Sequence, residues 1–346
     1  MKNMVLPKSD KTRFFNYLMG LSKLAAPVKK GVKSYSFEII TDTDDICIES
    51  LPTILPPKKY FMPQHETLLE FDTSKGQNME AVVYSEPLIL LGVHTCDLEG
   101  IQCLNHVFLD RPKDYHYLHR HNDVVLIGVE CMSPCDSFAS CTLMETYNPA
   151  GGYDLFMTDM GQEYLMAVNT PAGEKIAAGF GGLYPAADGH MRKLNEIRGI
   201  KRDVFRSEIS SDKFELPSIF ESSFNHSVWE KTAELCLSCG NCTNVCPTCY
   251  CFDVQDETEL DITKGRRIRV WDSCQNETFA KVAGGENFRE KRSERIRHRF
   301  YRKFKYPDDR YGKAFCTGCG RCSRQCMAGI NLKKVLSELI KSWREL

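Results

Sequence analysis

The sequence predicts a mixed α/β N-terminal domain over residues 1–223 and an α-helical C-terminal domain over 224–346, and three observations predict it. An apolar strand (about 87–93), a helix (to about 108) and a second apolar strand (about 123–129) follow one another, as in a parallel βαβ unit. Two four-cysteine runs are confined to the last third of the chain. Between the two regions, Ser207–Ser223 is serine-rich, holds Pro217 and reads as a boundary.

The elements follow in order. Residues 11–24 have helical periodicity, with Ser9 or Asp10 as N-cap. Short strands are expected at about 33–40 and 46–49. Leu51–Pro63 carries Pro52, Pro56, Pro57 and Pro63 and reads as an extended loop. The βαβ unit comes next. Its parallel strands end on one sheet edge, where open α/β sheets carry ligands, so Cys96 and Cys131 should converge there. Strands at 153–157 and 164–169, joined by a turn at 159–161, precede helices near 171–180 and 190–206. A helix at 226–235 leads into the first cysteine run. Residues 253–270 read as a linker of mixed charge, and 332–344 as a closing helix.

The runs are Cys236-Leu-Ser-Cys239-Gly-Asn-Cys242-Thr-Asn-Val-Cys246 and Cys316-Thr-Gly-Cys319-Gly-Arg-Cys322-Ser-Arg-Gln-Cys326. Each is C-x2-C-x2-C-x3-C, the bacterial ferredoxin signature, in which the fourth cysteine ligates the other cluster. A tight glycine-containing loop wraps three thiolates around a cubane and leaves the fourth to a distant cysteine. Cluster 1 is therefore assigned to Cys236, Cys239, Cys242 and Cys326. Cluster 2 is assigned to Cys316, Cys319, Cys322 and Cys246. The C-terminal domain thus reads as a ferredoxin-like dicluster domain. A zinc site would use separated C-x2-C pairs. The second run lacks the usual proline and continues Cys326-Met327.

Composition narrows the class. Net charge is −1, which gives no global field for nucleic acid or membrane. Seventeen cysteines in 346 residues, without a secretion signal, point to metal in a reducing compartment. No apolar stretch is long enough to span a bilayer. A cytoplasmic, oxygen-sensitive protein is expected, with no direct membrane insertion. There is no G-x-G-x-x-G after a strand (Gly179-Phe-Gly-Gly182 is too weak a match), no H-E-x-x-H and no Ser-His-Asp arrangement.

Nine cysteines lie outside the runs. Cys47 and Cys103 read as ordinary packed thiols. Cys96, Cys131, Cys135 and Cys141 can hold a third cluster, with structural thiols as the alternative. Cys249, Cys251 and Cys274 can form a further site with an open or non-cysteine fourth position, or pack beside cluster 2. His94 and Asp97 flank Cys96 and read as hydrogen-bonding partners. The basic stretch 286–305 reads as a solvated helix, as a docking face, or as charge compensation that would raise cluster potentials.

Further motifs carry a family resemblance. They are Pro56-Pro57-Lys58-Lys59-Tyr60-Phe61, Gly92-Val-His-Thr-Cys-Asp97, Gly152-Tyr-Asp-Leu155 and Cys246-Pro-Thr-Cys-Tyr-Cys-Phe-Asp-Val-Gln-Asp256. Trp271-Asp-Ser-Cys274, Val282-Ala-Gly-Gly285 and Asn287-Phe-Arg289 complete the set. The chain resembles the β subunits of cytosolic sulfhydrogenases (NiFe hydrogenase/sulfur reductase) and the related A subunits of anaerobic sulfite reductases. The resemblance implies an electron-transfer subunit with two 4Fe–4S clusters and one or two more. It implies FAD on a flavin-containing NAD(P)H-type partner, and a catalytic redox subunit of hydrogenase, sulfite reductase or heterodisulfide-reductase type. Where the family shows Cys-Phe-Cys, this chain has Ala139-Ser140-Cys141, with Cys135 upstream. The alternative function is catalysis of sulfur reduction at an open cluster site on this chain.

Overall fold

The computed structural model describes residues 2–76, 78–206 and 209–345. Ser207, which opens the expected boundary, lies outside the described residues. The first stretch holds β1 (Lys2–Pro7), α1 (Lys11–Leu21), β2 (Lys23–Gly31), β3 (Ser34–Ile39), β4 (His65–Asp72) and β5 (Asn78–Ala81). The βαβ unit follows as β6 (Leu88–His94), α2 (Thr95–Phe108), α3 (Tyr115–Asp123) and β7 (Val124–Val129). Then come β8 (Leu155–Asp159), β9 (Glu163–Val168), α4 (Pro171–Gly179), β10 (Tyr184–Pro185) and α5 (Asp188–Val204). The remainder is α6 (Leu216–Ser222), α7 (Val228–Leu235), α8 (Asn241–Asn244), β11 (Phe252–Thr258) and β12 (Lys264–Trp271). It ends with α9 (Arg292–Phe304), α10 (Tyr306–Tyr311), α11 (Arg321–Arg324) and α12 (Leu332–Arg344).

Eight strands form one sheet in the order β10-β1-β9-β8-β7-β6-β2-β3. Its centre, β2-β6-β7-β8, is parallel. All seven residues of β6 are buried, as expected of a strand covered on both faces. Phe14, Phe15 and Leu18 of α1 pack into one face of the core. Leu98, Ile101, Leu104 and Phe108 of α2 pack into another cluster with Leu88 and Leu90. Residues 46–49 form no strand; Ile46 makes only an isolated bridge to Val28.

A second, antiparallel sheet has the order β11-β12-β4-β5. Residues 253–270 are therefore a hairpin rather than a linker, and the sheet joins strands from either side of residue 223. Buried Arg269 fixes the junction, donating from Nε to Glu66 at 2.6 Å, while Arg120 donates to the same carboxylate. The C-terminal half is otherwise helical. Its core gathers Ile219, Phe220, Trp229, Phe300, Phe304 and Leu339 from α6, α7, α9 and α12. Each such side chain contributes about 1.5–3 kcal/mol on burial. Leu143 and Met144 join this core from the N-terminal half. No helix among the described residues is long and apolar enough to cross a membrane.

Candidate iron–sulfur site

The two cysteine runs fold into matching loops. In the first, Ser238 (φ 52°) and Gly240 (φ 71°) turn the chain into α8. In the second, Gly318 (φ 63°) and Gly320 (φ 73°) turn it into α11. The amide of Ser238 donates to Cys236 Sγ at 3.4 Å, and that of Gly318 to Cys316 Sγ at 3.5 Å. Loops of this shape surround a metal–sulfur body with thiols and backbone N–H groups. Cys236, Cys239, Cys242, Cys322 and Cys326 line one cavity. Asn241 Nδ2 donates to Gln325 O at 2.6 Å and ties the loops together. Cys246 lies within electrostatic reach of Cys316 and Cys319. Burial pushes the Cys242 thiol up to about 12 and raises Cys316 as well. Free thiols at Cys242 and Cys316 would stay protonated, whereas metal coordination holds them as thiolates.

The N-terminal group sits where the βαβ unit places it. β6 ends at His94, Cys96 lies in the first turn of α2, and Cys131 follows the end of β7. Thr95 Oγ1 is 3.6 Å from Cys131 Sγ. Cys131 is within electrostatic reach of Cys96, Cys135 and Cys141, so the four thiols form one group with Cys131 at its centre. Burial raises Cys135 to about 12 and Cys141 to about 11. Cys96 and Cys141 are also within reach of Cys319 in the second loop. The contact is close. Ser140 N donates to Gly318 O at 2.7 Å, and a Cβ on Gly318 would stand 2.4 Å from the Ser140 carbonyl carbon. Asp97 does not serve Cys96. Its carboxylate takes a two-pronged bond from fully buried Arg321, at 2.6 and 2.8 Å. His94 is buried, and burial lowers its pKa.

The third group is assembled by the β11–β12 hairpin. Cys251 precedes β11 and Cys274 follows β12, and Asp272 N donates to Cys251 O at 3.0 Å where the hairpin closes. Cys274 is drawn down to about 6, chiefly by a hydrogen bond from Cys251, against burial and with help from Arg299 and Lys303. Cys246 is likewise acidic through its bond from Cys249. Helix α9 lies alongside. Its Arg295, Arg299 and Lys303, spaced four apart, share one face and are 5, 6 and 5 % exposed. Arg299 Nη1 reaches Cys249 Sγ at 3.7 Å, and Lys303 Nζ donates to Thr248 Oγ1 at 2.7 Å. Burial works against both charges, but the surrounding thiols raise both pKa values.

Lys58, in the Pro56–Phe61 motif, is the residue that pattern reading did not single out. Its Nζ donates to Cys249 O at 2.9 Å and Thr243 O at 3.3 Å and lies 4.3 Å from the centre of the Trp271 ring. A conspicuous double lysine after two prolines was the available signal. Buried cations cost several kcal/mol unless an anion is near. The Lys58, Arg299 and Lys303 ammonium and guanidinium groups face thiols and carbonyls here, which fits thiolate clusters. Among the described residues no three His, Cys, Asp or Glu side chains close around a single-ion site. Cys47 is half-buried, and burial raises Cys103 to about 12, as packed thiols would be.

Residues 235–330 match the family described as a 4Fe-4S dicluster domain. Over 327 residues the chain is 33 % identical to sulfhydrogenase 2 subunit beta of Pyrococcus furiosus, covering 94 % of this chain and 95 % of that one. No solved structure gives a significant match.

Proposed function

Because the chain belongs to the sulfhydrogenase β-subunit family, we propose that this iron–sulfur subunit relays electrons between a flavin-bearing NAD(P)H-type subunit and a catalytic redox subunit. Cluster 1 is held by Cys236, Cys239, Cys242 and Cys326, cluster 2 by Cys316, Cys319, Cys322 and Cys246, and a third by Cys96, Cys131, Cys135 and Cys141. When bound, these clusters accept and release single electrons. The chain's own residues set their order and their surroundings. The observation that carries the reading is spatial continuity. The N-terminal thiol group touches the second loop through Gly318 and Ser140, and the two loops share Cys322 and the Asn241–Gln325 bond.

The order gives the relay two ends. The N-terminal group lies beneath the sheet edge. At the other end Cys239 is exposed, and Leu235, Leu237 and Met327 around it are 59, 64 and 80 % exposed. An apolar rim on an exposed cluster loop suits a partner that takes electrons there. The row Arg295, Arg299 and Lys303 turns inward, which favours charge compensation over docking for that face of the basic stretch. Positive charge near a cluster stabilises its reduced, more anionic state and raises its potential.

The test is anaerobic purification of the native complex with iron and sulfide counted on this chain and the associated subunits identified by mass. Roughly twelve irons or more, beyond the roughly eight of two ferredoxin clusters, support a third cluster. A flavin subunit in the complex supports the relay. Eight irons, or turnover of NAD(P)H by the isolated chain, refute this arrangement.

A further inference from the structure

The thiols Cys249, Cys251 and Cys274 border a cavity of about 320 Å³ that also meets Arg299, Arg302 and Lys303. For comparison, the cavity enclosed by the cluster 1 cysteines measures about 50 Å³. The space beside the third thiol group is the larger of the two. An engineered cavity of about 150 Å³ is enough to take benzene.

The walls define what that room accepts. On the cationic side stand Arg299, Arg302 and Lys303, and among the described residues no carboxylate lines the cavity. Arg299 and Lys303 are already oriented by Cys249 and Thr248. Arg302 stacks over Tyr250, with its guanidinium carbon 4.9 Å from the ring centre. On the apolar side are Tyr250, Phe252 and Phe279. Phe252 is 37 % exposed, so the cavity communicates with solvent beside it. Three thiolates satisfy three irons of a cubane, and Cys246, the nearest other thiol, is committed to cluster 2 by its position beside Cys316 and Cys319. The fourth iron would then face the cavity. Iron in a sulfur cluster favours soft thiolate donors. Cations favour a negative charge, and aromatic walls favour an organic body.

We propose that Cys249, Cys251 and Cys274 hold an iron–sulfur cluster with one iron free of protein thiolate, and that the adjoining cavity binds a small organic thiolate at that iron, beneath Arg299, Arg302 and Lys303. The proposal extends the relay reading to a fourth group, and it rests on that reading only for the assignment of Cys246. Binding requires no electron transfer. A bound thiolate would have its charge met by the guanidinium groups and its body packed against Phe252 and Phe279.

The experiment uses the full chain, purified anaerobically in its native complex and reduced with dithionite. Benzenethiolate is titrated while the electron paramagnetic resonance spectrum is recorded, with benzoate as the anion of like body that lacks a soft donor. The expected result is a change in the signal of one cluster, saturating at one benzenethiolate per chain and absent with benzoate. Arg302→Gln should weaken binding at least tenfold while leaving the iron count unchanged. Cys274→Ser should lower the count by roughly four irons and abolish the response. An unchanged iron count in both Cys274→Ser and Cys251→Ser would refute the cluster itself while leaving clusters 1 to 3 intact. Loss of iron without any benzenethiolate response in the parent chain would refute the ligand site but keep the cluster. His298 also lines the cavity. If His298→Ala alone opens the response to benzenethiolate, the imidazole is the fourth ligand and the proposal falls. A drop below roughly eight irons in both cysteine variants would place these thiols on the ferredoxin clusters and overturn the assignment of Cys246.

Discussion

Replacing Asp97 with Asn should separate the N-terminal thiol group from the second cluster loop. Arg321 follows Gly320 in that loop and is fully buried, and Asp97 is 2 % exposed. The two carboxylate oxygens take both Arg321 Nη groups, and the guanidinium is otherwise held by Thr53 O through Nε at 2.6 Å. Removing one partner of a buried pair costs about 3–5 kcal/mol, because the other charge stays buried. Cys319 and Cys96 lie within electrostatic reach of the same guanidinium. Thiolate charge on them offsets part of the loss, which places the expected value near the lower end, about 3 kcal/mol. At about 2 °C per kcal/mol for a large chain, the thermal midpoint falls by on the order of 6 °C. The assay is anaerobic thermal unfolding followed by circular dichroism, with protein-bound iron measured along the same ramp. Iron should leave the variant earlier than it leaves the parent. The double replacement Asp97→Leu with Arg321→Leu removes both charges and should recover most of the loss, a coupling of a few kcal/mol. A loss below about 1 kcal/mol, the range of exposed ion pairs, would refute the argument. So would a double variant whose loss equals the sum of the two single ones.

Gly318→Ala forces a Cβ onto the Ser140 backbone at a left-handed φ, at a cost of about 1–3 kcal/mol; loop 131–141 should shift, and iron attributable to the N-terminal group should drop before that of the ferredoxin pair. Lys303→Met removes a buried positive charge from beside Cys246 and Cys249, so a redox titration should show a cluster potential more negative by on the order of tens of millivolts. Cys103 carries a thiol raised by burial, from an ordinary 9.0 to about 12. The unfolded chain loses that proton above pH 9 while the folded chain keeps it, so stability falls between pH 9 and 12 by up to about 1.4 kcal/mol per pH unit. Cys103→Ala should lack this component, and equal slopes for both proteins would contradict the burial assignment. Leu237→Glu places a charge on the exposed rim near Cys239, and should slow electron delivery to the partner at least tenfold without changing the iron content.

The parts legible in sequence were those governed by short-range rules. C-x2-C-x2-C-x3-C fixes a loop because three thiols and two positive-φ positions must fit within a few residues, and both runs adopt it. The strand at 87–93 and helix to 108 were legible because β6 is buried along its whole length, giving an unbroken apolar run. The hairpin at 252–271 was not. β11 is exposed throughout, and its pairing with β12 is made partly by charged neighbours, Asp256 to Arg267 and Glu257 to Arg266. Apolar alternation is confined to Phe252 and Val254 in β11 and Ile268 and Val270 in β12, so the charged middle of the stretch passes for a solvated linker. β2 hides for a different reason. Pro27 interrupts its pattern, and its pairing with β6 ends at Ala25, before the missing N–H would matter.

The basic stretch shows what a sequence leaves open even when its helix is evident. Charges at 295, 299 and 303 share a face, but a cationic face on a helix ordinarily points to water. The direction is decided by the other side of the helix turn. Ile296, Phe300 and Phe304 bind α9 to Trp229 and Phe220, and this apolar stripe lies next to the cationic row. Packing the stripe therefore carries the cations inward, up against Cys249 and Thr248. Their burial is tolerable only if the thiols beyond them carry negative charge. The reading of the stretch as compensation for anionic clusters thus follows from the hydrophobic core rather than from the arginines and lysines themselves. It also accounts for buried cations beside these thiols in a protein whose formal net charge is only −1. The formal count treats seventeen cysteines as neutral, and cluster thiolates would make this region far more anionic than the sequence alone suggests.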